Sequence, residues 1–285
     1  MKCLRNTLIA PTVWLSAILL FLAIFPLEAF GLTFTAIDVP GAIRTLAIGI
    51  NARGDIVGWF QDPAGNIHGF LLSQGNFTTI DVPGATHTAA LGINARGQVV
   101  GHHITGEKFQ SFLLGDGNFI AIDVPGSNST SLQGINDLSQ IVGDYLDASG
   151  THGFFLDDGN FTKIDVPGAL ATKVRGVNER GQIVGVYTDA RFTDHGFLLD
   201  DENFTTIDDI PGTARFVDAG GINLRGQIVG EQFDEKTRGF LLDKGNFTTI
   251  DVPGAAGTTA LGINAGGQIV GVYEAQGAEH GFVAE

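Results

Sequence analysis

Ile37-Asp38-Val39-Pro40-Gly41 decides the fold, because it returns from Ile80, Ile122, Ile164 and Ile250 and, with one extra residue, from Ile207. Its aspartates, Asp38, Asp81, Asp123, Asp165, Asp208 and Asp251, are spaced 43, 42, 42, 43 and 43 residues apart. Between them lies Gly-Ile-Asn, starting at Gly49, Gly92, Gly134, Gly221 and Gly262, with Gly176 opening a Gly-Val-Asn variant. Next come Ile-Val-Gly or Val-Val-Gly, a His-Gly-Phe segment and a Gly-Asn-Phe-Thr-like turn. Six copies at a near-constant period define a repeat protein, so the unit must be read before the chain.

The fourth copy shows the unit most plainly. Residues 171–178 end in Asn178-Glu179-Arg180-Gly181, an N-x-x-G turn that suits a hairpin with a glycine bulge. Residues 182–187 follow, then a longer loop to His195, and residues 195–200 and 203–208 are joined by a tight turn at Asp201-Glu202. This predicts a four-stranded antiparallel meander, and proline at the end of each unit, lacking a donor, stops the pairing. A unit of about 40–45 residues with four strands is the size of a β-propeller blade. The chain therefore reads as all-β, a six-bladed β-propeller of four-stranded antiparallel blades. Small residues in the first strand, as in Ala90-Leu91-Gly92, suit a crowded central channel. The copies start out of phase: residues 33–39 form an outer strand without a blade, and residues 258–284 form a blade without one. The N-terminal strand should thus close the last blade. The alternative, two β-trefoils, needs a linker near the third copy, where the spacing shows none, and an open solenoid needs polar caps that are not apparent.

Ahead of the repeats, Lys2 and Arg5 precede an apolar stretch over residues 13–25, and small residues follow at Ala29 and Gly31. That is the layout of a signal peptide over residues 1–31, cleaved after Ala29 or Gly31, leaving 32–285 as one domain. The rival is an uncleaved anchor, since residues 8–25 are mostly apolar. After cleavage no stable membrane span is expected. The 285-residue chain carries 16 basic and 31 acidic residues, a net charge of −15. Cleavage removes Lys2, Arg5 and Glu28, leaving 14 basic and 30 acidic residues and a charge of −16. Such a surface repels phosphate backbones, which argues against nucleic-acid binding. The same cut removes Cys3, the sole cysteine, so the mature chain forms no disulfide and offers no thiol chemistry.

At Gly262-Ile263-Asn264…Gly267-Gln268-Ile269-Val270-Gly271 and His280-Gly281-Phe282 the unit resembles the HAF family of extracellular repeats, named for a His-Ala-Phe triplet that reads His-Gly-Phe here. The resemblance covers all six units and implies an exported bacterial protein. It implies no activity and carries over no catalytic or ligand residue.

Counting back from the hairpin turn at Gln74-Gly75 sets His68 opposite Asp81. The same count pairs Gln110 with Asp123, His152 with Asp165, His195 with Asp208 and Arg238 with Asp251, and closure pairs His280 with Asp38. A carboxylate-oriented imidazole is acid–base equipment. Six copies exceed what a reaction needs, however, and glutamine or arginine cannot replace an imidazole base. These pairs read as structural cross-strand ties. The aromatics offer more. Tyr145, Tyr187 and Tyr273 share one repeat position, held elsewhere by Phe60, His103 and Gln232, with Trp59 beside Phe60. They open the most variable loops, which also carry acids such as Asp62, Asp147, Asp189 and Asp234. Trp59, Phe60, His103, Tyr145, Tyr187 and Tyr273 are the candidate ligand-binding residues, able to hold a sugar or a cationic group; the competing reading makes them caps between blades. No metal is expected, because neither residues 157–160 nor 147–150 have the alternating acids of a calcium loop. No cofactor fingerprint is present, and no catalytic residue is assigned.

The reading is therefore a secreted, extracellular or periplasmic monomer, acting as a binding or scaffold module for an unknown glycan or extracellular protein. The enzyme alternative is carbohydrate cleavage by two loop carboxylates, and the third is an inert structural repeat. Two carboxylates converging on one pocket, one with a raised pKa, would mark the enzyme; a face without a pocket would mark the inert repeat.

Overall fold

The computed structural model describes residues 31–208 and 216–285, which hold 24 strands and no helix. The signal-peptide expectation for residues 1–30 and the fifth crossover proline, Pro211, lie outside the described residues. β1 (Phe34–Ile37) comes first, followed by six four-strand units. The first holds β2 (Arg44–Ile50), β3 (Ile56–Gln61), β4 (Ile67–Ser73) and β5 (Asn76–Ile80). The second holds β6 (His87–Ile93), β7 (Val99–Thr105), β8 (Lys108–Gly115) and β9 (Asn118–Ala121). The third holds β10 (Ser129–Ile135), β11 (Ile141–Asp147), β12 (Gly150–Asp157) and β13 (Asn160–Ile164). The fourth holds β14 (Ala171–Val177), β15 (Ile183–Thr188), β16 (Asp194–Asp200) and β17 (Asn203–Ile207). The fifth holds β18 (Phe216–Ile222), β19 (Ile228–Phe233), β20 (Thr237–Asp243) and β21 (Asn246–Ile250). The sixth supplies β22 (Gly257–Ile263), β23 (Ile269–Ala275) and β24 (Ala278–Ala284), and takes β1 as its outer strand in the order β1-β24-β23-β22.

Every blade is an antiparallel meander, and the chain is a six-bladed β-propeller closed by its N-terminal strand. The seam is continuous. Phe34 to Ile37 pair with Ala284 to Gly281, and Thr33 and Glu285 exchange backbone hydrogen bonds of 2.9 and 3.1 Å.

The repeated residues explain the geometry. The phenylalanine of each His-Gly-Phe segment (Phe70, Phe112, Phe154, Phe197, Phe240, Phe282) is fully buried. Each meets the outer-strand phenylalanine of its blade edge to face, as Phe154 meets Phe161 with centroids 5.5 Å apart. Burying such a ring contributes about 1.5–3 kcal/mol, and the edge-to-face pair adds about 0.5–1.5 kcal/mol. Apolar clusters span neighbouring blades: Val57 of β3 packs with Ala90 and Phe112 of the second blade. The glycine of each Ile-Val-Gly leaves room for this ring, since a Cβ on Gly143 would lie 2.0 Å from the Ser131 carbonyl and 3.0 Å from Phe154. Inner strands crowd as well, for a Cβ on Gly49 would sit 2.7 Å from the Leu91 carbonyl of the next blade.

The turn asparagines do more than turn the chain. Asn51 Oδ1 accepts from the Arg53 and Asp55 amides, while its Nδ2 donates to the Asn94 carbonyl of the next blade at 3.1 Å. Asn94 donates to Asn136, Asn136 to Asn178, Asn178 to Asn223, Asn223 to Asn264, and Asn264 back to Asn51, all at 3.0–3.1 Å. All six are buried.

Two measurements test this arrangement. Deleting residues 32–39 strips the sixth blade of its outer strand and Ile37 from the core, and should lower the melting temperature substantially; an unchanged melting curve contradicts the closed ring. Asn136→Ala leaves the Asn178 carbonyl and two turn amides unpaired, and should cost about 1–3 kcal/mol in a urea titration.

Candidate functional site

The crossovers and the β3–β4-type loops share one end of the propeller, and the Asn-x-x-Gly turns gather at the other. The crossover end is where the sequence placed its aromatics and His–Asp pairs. His68 Nδ1 lies 3.0 Å from Asp81 Oδ2, His152 Nδ1 3.0 Å from Asp165, His195 Nδ1 2.8 Å from Asp208, and His280 Nδ1 3.0 Å from Asp38. The other ring nitrogen faces the loop: His68 Nε2 is 3.4 Å from Asp62, His195 Nε2 3.4 Å from Asp189, and His152 Nε2 2.8 Å from Ser149 Oγ. Two of the six expected ties do not form as counted. Gln110 and Asp123 make no hydrogen bond with each other. Arg238 turns its guanidinium to Asp234 in its own loop and stays 4.0 Å from Asp251, which Lys236 Nζ takes instead at 2.7 Å.

The candidate aromatics sit beside these ties, each in its own blade. Phe60 stacks on His68 with centroids 5.2 Å apart, Tyr145 lies against His152 at 5.4 Å, Tyr187 stacks on His195 at 5.1 Å, and Tyr273 on His280 at 5.3 Å. All four also pack on an interblade cluster. The Tyr187 hydroxyl meets Thr206 Oγ1 at 3.1 Å. His103 is buried and bonds Thr105 Oγ1 at 3.0 Å. Trp59 lies under the Arg44 guanidinium at 4.8 Å, and Arg44 also pairs with Glu279 at 2.9 Å. These six residues are spread around the rim and do not meet in one pocket.

The loop acids are held as anions. Asp62 is lowered to about 2 by hydrogen bonds led by the Asn66 side chain, and Asp234 to about 2 by the Glu235 and Lys236 amides and Arg238. Bonds from Ser149 and from the Thr193 amide likewise lower Asp147 and Asp189. A general acid needs the opposite shift.

A second site lies on the axis, where the sequence reading placed only small residues. In every inner strand a β-bulge falls just before the repeat glycine. The extra residue (Ile48, Leu91, Gln133, Arg175, Gly220 or Leu261) lines the central channel. Bulges commonly re-aim one side chain in this way. The cavity holds about 360 Å³. Its wall is apolar at Ile48, Leu91 and Leu261 and polar at Gln133, Arg175, Asp218, Glu231 and Thr259. Arg175 Nε and Nη2 reach Asp218 Oδ2 at 3.2 and 3.0 Å across two blades. Glu231 Oε2 accepts from Thr259 Oγ1 at 2.7 Å. Behind the wall, Asp144 takes a long 3.5 Å contact from Gln133 Nε2. Burial raises both Asp144 and Glu231, a shift that Arg175 opposes and Asp218 reinforces. The signal was present in the repeat: aligning the six Gly-Ile-Asn motifs shows that the preceding residue changes from copy to copy.

No protein-family model and no curated protein sequence matches the chain. Solved structures match its fold. A mutant of the Aleuria aurantia lectin in complex with Fucalpha1-6GlcNAc is 13% identical, with a TM-score of 0.53, over 82% of this chain and 89% of the lectin. TolB from Acinetobacter baumannii is 8% identical at a TM-score of 0.57, over 82% of this chain and 64% of TolB. The β-propeller domain of the Trilobed protease from Pyrococcus furiosus, described as having an open velcro topology, is 12% identical at 0.57, over 88% and 87%. At these identities the likeness is one of fold.

The His–Asp ties have a pH signature. Burial disfavours the imidazolium of His68, but the bonds and charges of Asp81 and Asp62 outweigh it and raise its pKa; Asp208 and Asp189 do the same for His195. A raised histidine stabilises the fold fully below its unfolded value of about 6.5, and that contribution is lost as pH rises through the folded value. The double variant His68→Gln/His195→Gln should therefore lose more melting temperature relative to the parent at about pH 5.5 than at about pH 9. Taking the difference cancels His102, which burial lowers to about 4 and which works in the opposite sense. Equal losses at both pH values contradict the charged tie.

Proposed function

We propose that the protein is an exported binding module that engages a glycan or an extracellular protein at its crossover end. The observation that carries this reading is the contrast between the two ends. At one end the same asparagine-centred turn recurs in all six blades. At the other, the loops differ in length and charge: residues 62–66 and 189–193 form extended loops, residues 106–107 and 276–277 tight ones. Variation on a rigid scaffold is how recognition surfaces are made. The half-buried edges of Trp59, Phe60, Tyr145, Tyr187 and Tyr273 flank these loops, with His103 beneath, and the anionic Asp62, Asp189 and Asp234 stand among them. Export is supported by the charged, apolar and small-residue order of residues 1–31 and by the resemblance to the HAF extracellular repeats. The propeller lectin's sugar complex makes glycans the first class to test. Loop carboxylates whose hydrogen bonds hold them below their ordinary pKa weigh against cleavage by those acids, and the axial cavity weighs against an inert repeat.

The mature chain should be recovered from the exported fraction with its N-terminus at residue 30 or 32, and should bind on a glycan array or capture an extracellular partner. Replacing residues 62–66 and 189–193 with the tight Gln276-Gly277 turn should reduce that binding about tenfold or more, roughly 1.4 kcal/mol, with the melting curve kept. Full binding by the loop-swapped protein moves the site elsewhere.

A further inference from the structure

The repeat supplies its own control experiment. Positions that hold the ring together (turn asparagine, buried phenylalanine, strand glycine) are the same in all six blades. The bulge position is apolar in the first, second and sixth blades, at Ile48, Leu91 and Leu261, and polar in the third and fourth, at Gln133 and Arg175. The residues around it divide the same way. Asp144, Asp218 and Glu231 come from the third and fifth blades, whereas the matching positions hold Val272 and Thr259 in the sixth blade and His102 and Ala89 in the second, where burial lowers His102 to about 4 and so favours its neutral form. The blades without charges on the axis close equally well, so Asp144 and Glu231 are not needed to form the ring. Burying carboxylates is costly unless they are paired.

The pairing inside the channel is incomplete. Arg175 is neutralised by its two-bond contact with Asp218, and its remaining neighbours, Asp144 and Glu231, have no cation of their own. Lys173, on β14, reaches Asp144 only by its charge. Glu231 spends Oε2 on Thr259 and leaves Oε1 without a protein partner among the described residues. Acceptors thus exceed donors on one wall, and the opposite wall is aliphatic. We propose that the channel binds a small organic cation with an apolar body, its ammonium-type head against Glu231, with the charge of Asp144 behind the wall, and its body against Ile48, Leu91 and Leu261. The head supplies the donors the wall lacks, and the cavity of about 360 Å³ limits the ligand to a compact molecule. This site is separate from the crossover-end surface, so either can fail without the other.

The test is calorimetric titration of the mature protein with n-butylammonium, cyclohexylammonium and 1-adamantylammonium, each set against the alcohol of the same carbon skeleton. At least one ammonium ion should bind about tenfold or more tightly than its alcohol, a difference of roughly 1.4 kcal/mol. Glu231→Gln, which keeps the shape, should erase that preference while the melting temperature holds or rises; Asp144→Asn should weaken it. Binding should also release protons in mildly acidic buffer, read as a heat that changes with the ionisation enthalpy of the buffer, because the cation favours both carboxylates in their charged form. Ammonium ions that bind no better than their alcohols overturn the proposal on the parent protein alone, whatever the variants do. A preference that survives unchanged in folded Glu231→Gln overturns it as well.

Discussion

Six asparagine side chains set the frame from which everything else hangs. Five of them close their own hairpin by accepting two turn amides and Asn264 by accepting one, and each then reaches across to the carbonyl of the next asparagine, so one residue type builds the turn and fixes the distance to the neighbouring blade. A buried amide that fails to find these partners leaves several polar groups stranded at once, which makes the arrangement all-or-none at each joint. The last link, Asn264 to Asn51, joins positions 213 residues apart, so the circle is complete only in the closed ring. With the inner strands held in this spacing, the glycines can abut and the bulge residues have one direction left, toward the axis.

The two ends and the axis show how environment sorts identical chemistry. Aspartates in the crossover-end loops receive amide and side-chain donors and are held charged in water. Asp144 and Glu231, a few residues from the same loops along β11 and β19, receive little and are pushed toward the neutral form. The chain is strongly acidic, yet its acids do three jobs: Asp38, Asp81, Asp165 and Asp208 clamp histidines, Asp62 and Asp234 fold loops, and Asp144 and Glu231 stand near the axis with few donors.

Much of this was readable beforehand, and the boundary is physical. Motif spacing carried the blade number, the meander and the closing strand, because hairpin pairing has a period of two and a turn fixes its register; Ser73 opposite Asn76 and Phe70 opposite Thr79 follow from that count alone. The same count located four His–Asp ties. It could not foresee that Arg238 would prefer Asp234, since a long flexible side chain chooses among anions in space rather than by register. It also read Asn178-Glu179-Arg180-Gly181 as a turn only, because the second bond crosses between blades. The axial cluster escaped for a related reason. A bulge shifts one residue out of the alternation, so Gln133 and Arg175 cannot be aimed by parity from either side.

Closure by β1 has a consequence for how such a molecule comes into being. The first of the described strands is the last to find its place, since its partner, β24, is the last of them in sequence. Until Ala278–Ala284 is free, the first five blades can stack but remain an arc with two raw edges, and the contacts that join them span nearly the whole sequence. Such long-range contacts form slowly and late. A nascent chain is therefore kept from becoming a finished ring until Ala278–Ala284 is available, and β1 serves as a latch that only β24 can engage.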